Sequence, residues 1–344
     1  MPWPTDRILA GRLGLFILLS ISLLPLLPTA QAMQNSPWIQ AAVEQGFREL
    51  PSDTEVPYRA WVRDPSSKAL ILSSEAVGGS SEAVGGSSEA VGGALEALHR
   101  APRLIVIIES DGASWRLAGY QAPPNPTPRS PMGLQMAMQS PARDRVLYLA
   151  RPCQFQIDDQ THDQRCKDNR WWTDWRFHPQ IVDRFKAAVV AQQALHGKDS
   201  LLIFAGFSGG GTLATLLAMT FQSDKLITHD PDQVPGLKPI PLPSVTEAPL
   251  CLITLASPLD LNQWAGHHRL TSFTDVPSGQ QIAEALSSIS SLHAYGDRDR
   301  KVPLESAGRF LSAENLRQRV HRFTEQSHDA RWISVWPRLL EKAC

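Results

Sequence analysis

One stretch constrains this chain more than any other. Leu201 to Ala205 are five apolar residues, Gly206-Phe207-Ser208-Gly209-Gly210 follows, and a helix-forming run begins at once. A strand that runs through Gly-x-Ser-x-Gly into a helix must turn sharply at the serine. Small neighbours give the turn room, and the serine hydroxyl stands at its tip. The helix start turns backbone N–H groups and the positive end of its dipole toward any developing negative charge. Ser208 is therefore the candidate nucleophile. A plain glycine-rich turn is the competing reading, and the strand before and helix after weigh against it.

The rest of the chain has the rhythm such a turn requires. From Leu104 onward, strand-length apolar runs alternate with helical stretches, the pattern of a mostly parallel sheet covered by helices. Strands are expected at Leu104 to Ile108, Val146 to Ala150, Leu201 to Ala205, Leu250 to Ala256, Ser291 to Tyr295 and Val320 to Thr324. Helices are expected at Pro131 to Met138, Pro179 to His196, Gly210 to Gln222, Leu304 to Leu316 and Ala330 to Lys342. The fold class is α/β, an α/β-hydrolase fold with helices on both faces of the sheet, over one domain from residue 33 to 344. Val56 to Arg63 and Lys68 to Leu72 read as an opening hairpin around Asp64-Pro65-Ser66-Ser67. Ser-Ser-Glu-Ala-Val-Gly-Gly then repeats three times over residues 73–93. Two glycines in each unit make that a poor helix, so a flexible, tandemly expanded surface loop is the expectation. A Pro-rich loop covers 230–249.

Charge and composition exclude some functions. Of 344 residues, 42% are hydrophobic and 19% charged, which suits a globular chain with a sizeable core. Lys plus Arg, 33, nearly equals Asp plus Glu, 34, and no basic run stands out, so the electrostatic footprint of a nucleic-acid binder is absent.

A serine nucleophile needs a base, and the base an orienting acid, in the chain order Ser, Asp or Glu, His. His321 lies within or beside the last strand, whereas His328 follows it in the polar loop Glu325 to Asp329, which makes His328 the base. Asp299 sits after a strand and before a helix, where its carboxylate can reach an imidazole across the top of the sheet. Asp260, in the loop after the preceding strand, is its rival and reads better as a pocket residue; Asp297 reads as a solvated turn residue. The oxyanion hole should pair the Gly209 N–H with one from the loop after the first central strand, Glu109 to Trp115, where Gly112 or Ala113 would donate. Asp111 is read as a loop carboxylate. Trp115, Asp260, Trp264 and His267 are further pocket candidates, although tryptophans more often pack cores and rims.

At the N-terminus, Arg7 and Arg12 precede an apolar run from Leu13 to Leu27, and Ala30-Gln31-Ala32 offers a cleavage point. This reads as a signal peptide over residues 1–32, with export to the periplasm or medium; an uncleaved anchor is the alternative. The run is short for a membrane span, which needs about 20 apolar residues. An exported chain favours cysteine pairing. Cys153 and Cys166 flank a polar loop whose closure would add about 3 kcal/mol in the chain-entropy model. If the final helix starts beside His328, it runs down to the end of the sheet where the Cys251 strand begins. A Cys251–Cys344 bond is then geometrically open, against a buried thiol and a loose terminal one.

Several segments together resemble a family of secreted bacterial α/β-hydrolases. They are Ile-Glu-x-Asp-Gly-x-x-Trp at Ile108 to Trp115, Pro126-Thr127-Pro128-Arg129, and Tyr-Leu-Ala-Arg-Pro-Cys-Gln at Tyr148 to Gln154. Trp172-Thr173 with Arg176-Phe177, Ser208 to Gly211, Leu259-Asp260 with Trp264 and His267, and Gly-x-x-Asp-x-x-Val-Pro at Gly296 to Pro303 continue the series. The resemblance spans Leu104 to His328 and implies a triad of Ser208, Asp299 and His328, with Cys153 and Cys166 matching the family's two central cysteines. The triplicated repeat and the Pro-rich loop depart from it.

These readings converge on a serine hydrolase that cleaves an ester, thioester or amide in a small-molecule or lipid-like acyl substrate. No cofactor is implied, and no metal: His267 and His268, read as extended neighbours, would point apart. An acyltransferase using the same triad and a non-catalytic binding protein are the rivals. Oligomeric state is left open.

Overall fold

The computed structural model describes residues 36–51, 55–66, 102–114, 122–156, 163–222, 249–273, 275–305, 316 and 319–344. Residues 1–32, expected to form a signal peptide, the repeat at 73–93, nearly all of the Pro-rich loop, Lys68 to Leu72, most of the expected helix at 304–316, and Trp115 lie outside the described residues.

In chain order the elements are α1 (Pro37–Glu44), β1 (Arg48–Glu49), β2 (Ala60–Arg63), β3 (Arg103–Ile108), α2 (Met132–Gln139), β4 (Arg145–Leu149), α3 (Pro179–His196) and β5 (Leu201–Phe207). Then come α4 (Gly209–Gln222), β6 (Leu250–Leu255), α5 (Leu261–His267), α6 (Gly279–Ser287), β7 (Ser290–Gly296), β8 (Val320–Phe323) and α7 (Trp332–Ala343). Among the described residues they form an eight-stranded sheet in the order β1-β2-β4-β3-β5-β6-β7-β8. The strands from β3 to β8 pair in parallel; β2 runs antiparallel to both β1 and β4. The Lys68 to Leu72 half of the expected hairpin lies outside the described residues, and the partners of β2 within them are β1 and β4.

The central strands β3, β5 and β6 are mostly apolar because both faces of the sheet are buried there. Alternate side chains serve opposite layers. Leu104, Val106, Leu202 and Phe204 pack with Phe185 and Val189 of α3, Leu213 and Leu217 of α4, and Ile282 of α6. Ile105, Ile107, Ile203 and Ile253 pack on the other side with Ile39 of α1, Met132 and Leu134 of α2, and Trp332 and Trp336 of α7. α1, α5 and α6 were not anticipated. α5 is opened by Asp260, whose carboxylate accepts from Gln263 N at 3.0 Å, so this residue caps a helix. α6 starts with a reciprocal capping box between Ser278 and Gln281.

Both cysteine pairs are bonded. Cys153–Cys166, 13 residues apart with Cα atoms at 5.5 Å, packs with Trp172. Cys251–Cys344 spans 93 residues, with Cα atoms at 6.1 Å, and ties the end of α7 to β6. Among the described residues no helix is long and apolar enough to cross a membrane.

Candidate active site

The parallel strands deliver the loops after β3, β5, β6, β7 and β8 to one end of the sheet, where ligands of open α/β sheets bind. Ser208 stands between β5 and α4 with φ 55°, a left-handed conformation that a non-glycine residue holds only when its surroundings impose it. Ser208 N donates to Leu255 O at 2.8 Å, and Gly211 N donates to Ser208 O at 2.9 Å. The glycines around it have no room for side chains. A Cβ on Gly206 would run into the backbone of Gly210 and Gly211, and one on Gly210 into the carbonyls of Ile108 and Glu109, all closer than 3.0 Å.

Facing the serine, His328 Nε2 lies 3.1 Å from Ser208 Oγ, and His328 Nδ1 lies 2.7 Å from Asp299 Oδ2. The other oxygen of Asp299 accepts N–H bonds from Lys301 at 2.9 Å and Val302 at 2.8 Å, so the carboxylate is fixed at both ends and 4% exposed. Phe207 packs its ring against His328 at 4.6 Å between centroids. The three residues named from sequence therefore form one continuous chain of contacts. The rival acid Asp260 is occupied at its cap, Asp297 is exposed, and His321 pairs in register with Ala294 inside the sheet.

The loop after β3 is organised by Glu109. Its fully buried carboxylate accepts from Ser110 N at 2.8 Å, Gly133 N at 3.1 Å, Leu134 N at 3.0 Å and Tyr148 Oη at 2.9 Å, which ties the loop to the first turn of α2. Burial raises its pKa despite these donors. Ala113 N donates to Pro126 O at 3.1 Å, so its amide is occupied and it drops out as an oxyanion donor. Gly112 is at φ 61°, a Cβ there would run into Pro126, Gln154 and Pro128, and its own N–H has no partner among the described residues. Gly209 N–H belongs to the first turn of α4, whose amides lack intrahelical acceptors.

Asp111 lies directly against Gly209: a Cβ there would meet both carboxylate oxygens at 2.5 Å. Its Oδ1 accepts from Arg151 Nη1, and Arg176 Nε lies 3.9 Å from the same oxygen. Burial alone would push this acid up, but Arg151 and Arg176 outweigh it and hold Asp111 below the usual carboxylate range. Neither arginine was singled out as a site residue. The only sequence signal was their place in the segments that carry the family resemblance.

Trp264 donates Nε1–H to Lys301 O at 2.8 Å, which braces the Asp299 loop against α5. His267 is exposed at the end of α5, its ring edge-on to His268 at 4.8 Å, so the two are helical rather than extended neighbours. His268 Nε2 lies 2.7 Å from Lys301 O. Among the described residues there is no cluster of three or more metal-ligating side chains.

The sheet order, the strand-to-helix serine and the converging loops define an α/β-hydrolase fold. Solved structures with a similar fold include several hydrolases. A puromycin hydrolase superposes with a TM-score of 0.47 at 14% identity, over 86% of this chain but only 37% of that one. A carboxylesterase from Lactobacillus plantarum gives 0.45 at 14% identity, over 86% of this chain and 94% of that one. A lidless α/β serine hydrolase from Xanthomonas campestris gives 0.42 at 13%, with 86% and 94% covered. No family model and no curated protein sequence matches the chain.

Proposed function

We propose that the protein is a serine hydrolase that cleaves an ester, thioester or amide through an acyl-enzyme. The observation that carries this is the chain Asp299–His328–Ser208, at 2.7 and 3.1 Å, ending on a serine held at φ 55°. His328 takes the Ser208 proton as Oγ attacks the substrate carbonyl. The same imidazole returns that proton to the leaving group when the carbonyl re-forms. Asp299 holds the ring with Nε2 toward the serine and offsets the charge of the imidazolium. The oxyanion is held by Gly209 N–H and by the Gly112 N–H beyond Asp111. Water activated by His328 then releases the acyl group and restores Ser208.

Both disulfides suit an oxidising compartment, which supports export as the setting of this activity. The test is labelling of the purified protein with a fluorophosphonate probe beside Ser208→Ala, followed by a panel of esters of increasing acyl length. Stoichiometric labelling of wild type and none of the variant is expected. A wild-type protein whose Ser208 stays unlabelled overturns the reading.

A further inference from the structure

Arg176 is one of the largest fully buried side chains, at 1% exposure, and its charge is poorly answered. None of Nε, Nη1 and Nη2 has a hydrogen-bond partner among the described residues. The contacts it does make are to aromatic rings: the guanidinium carbon lies 4.8 Å from the Phe273 ring centre, 5.3 Å from that of Trp264 and 5.4 Å from that of Phe177. Ring contacts of this kind attract the charge but offer no hydrogen-bond acceptor to its N–H donors. The nearby carboxylate, Asp111, is already bonded by Arg151 and approaches only Nε, at 3.9 Å. Two guanidiniums against one carboxylate leave one buried positive charge over, and the other acid felt by Arg176, Asp174, is exposed. Burial lowers Arg176 to about 10, so it still carries its proton at neutral pH.

A buried donor set without acceptors is costly unless something supplies them. The cluster is also part of the candidate site. Asp111 touches Gly209 next to Ser208, and Trp264 is bonded to the Asp299 loop. Trp264 and Phe273 are only half-buried, so the ring cluster around the guanidinium reaches the surface.

We propose that Arg176 recognises a carboxylate borne by the substrate near its scissile carbonyl, which makes the preferred substrate an acidic ester, thioester or amide. This rests on the serine-hydrolase reading above. A carboxylate presents two oxygens to the guanidinium edge in the bidentate geometry that an arginine fork matches, and it supplies the missing negative charge.

The test is protection of Ser208 from fluorophosphonate labelling by monomethyl glutarate, which carries a free carboxylate, against neutral dimethyl glutarate. Wild type, Arg176→Gln and Arg176→Lys are compared. In wild type the half-ester should protect at a concentration about tenfold lower than the diester, a difference worth one good charged hydrogen bond. Arg176→Gln should abolish that difference and Arg176→Lys keep part of it. Only protein with a competent Ser208 takes up label, so an incompletely folded variant still reports. If a variant fails to fold, the wild-type comparison decides alone. Wild type that labels but is protected equally by both compounds overturns the carboxylate assignment and leaves the hydrolase reading intact. Wild type that does not label overturns both.

Discussion

His328 Nδ1 meets Asp299 Oδ2 at 2.7 Å while Asp299 Oδ1 is held by two backbone amides, so the carboxylate has one orientation and imposes one on the ring. Asp299→Asn keeps the shape but can present an N–H to Nδ1, which favours the tautomer with its proton on Nε2, facing Ser208 as a donor. kcat toward an activated ester should fall by roughly 10^4 with the melting temperature nearly unchanged. A drop below tenfold in a folded variant would show that the imidazole is oriented by something other than Asp299.

The turn at Ser208 sets activity against stability. A non-glycine residue at φ 55° costs of order 1 kcal/mol, which Ser208→Gly relieves. Ser208→Gly should therefore abolish turnover while making the fold as stable as wild type or about 1 kcal/mol more so by urea denaturation. Gly210→Ala should do the opposite to the fold, since its Cβ would enter the Ile108 and Glu109 carbonyls. Poor soluble yield is the expected readout, and a well-folded Gly210→Ala protein would contradict the packing described.

The two disulfides close loops of very different length, 13 against 93 residues. In the chain-entropy model the shorter contributes about 3 kcal/mol and the longer between 4 and about 5 kcal/mol. Paired serine substitution of Cys251 and Cys344 should lower stability more than that of Cys153 and Cys166. The second pair, however, packs with Trp172 in the polypeptide just before Arg176, so its loss should disturb activity more. Chemical denaturation and ester turnover on the two double variants separate these effects.

The sheet was legible because strands buried on both faces read as unbroken apolar runs, as at Leu104 to Ile108 and Leu201 to Ala205. Ser208, Asp299 and His328 could be named because each lies in the segment after a strand, and parallel strands bring those segments to one edge. What could not be read depends on contacts between distant loops. Ala113 looked like an amide donor until its N–H met Pro126, and Asp111 looked like an isolated loop acid although Arg151, 40 residues on, binds it. Nothing local distinguishes a solvated arginine from Arg176, since its burial is set by Phe177, Trp264 and Phe273 together. α5 and β1 are too short to carry a periodicity.

His293 should contribute to the loss of stability in acid. It is buried inside β7, with Nδ1 2.8 Å from Thr254 Oγ1 and Nε2 3.1 Å from Ser291 Oγ, and burial lowers it from 6.5 to about 3. The folded protein thus keeps the ring neutral where the unfolded chain protonates it. Stability from this group is complete above about pH 6.5 and is lost as pH falls toward 3, with a slope of up to about 1.4 kcal/mol per pH unit. Replacing the ring by an uncharged polar group removes the linkage, so His293→Gln should be less stable at pH 8 yet lose less on acidification. Urea midpoints measured from pH 8 to pH 4 test this. Parallel losses in the two proteins would assign the acid sensitivity to other groups.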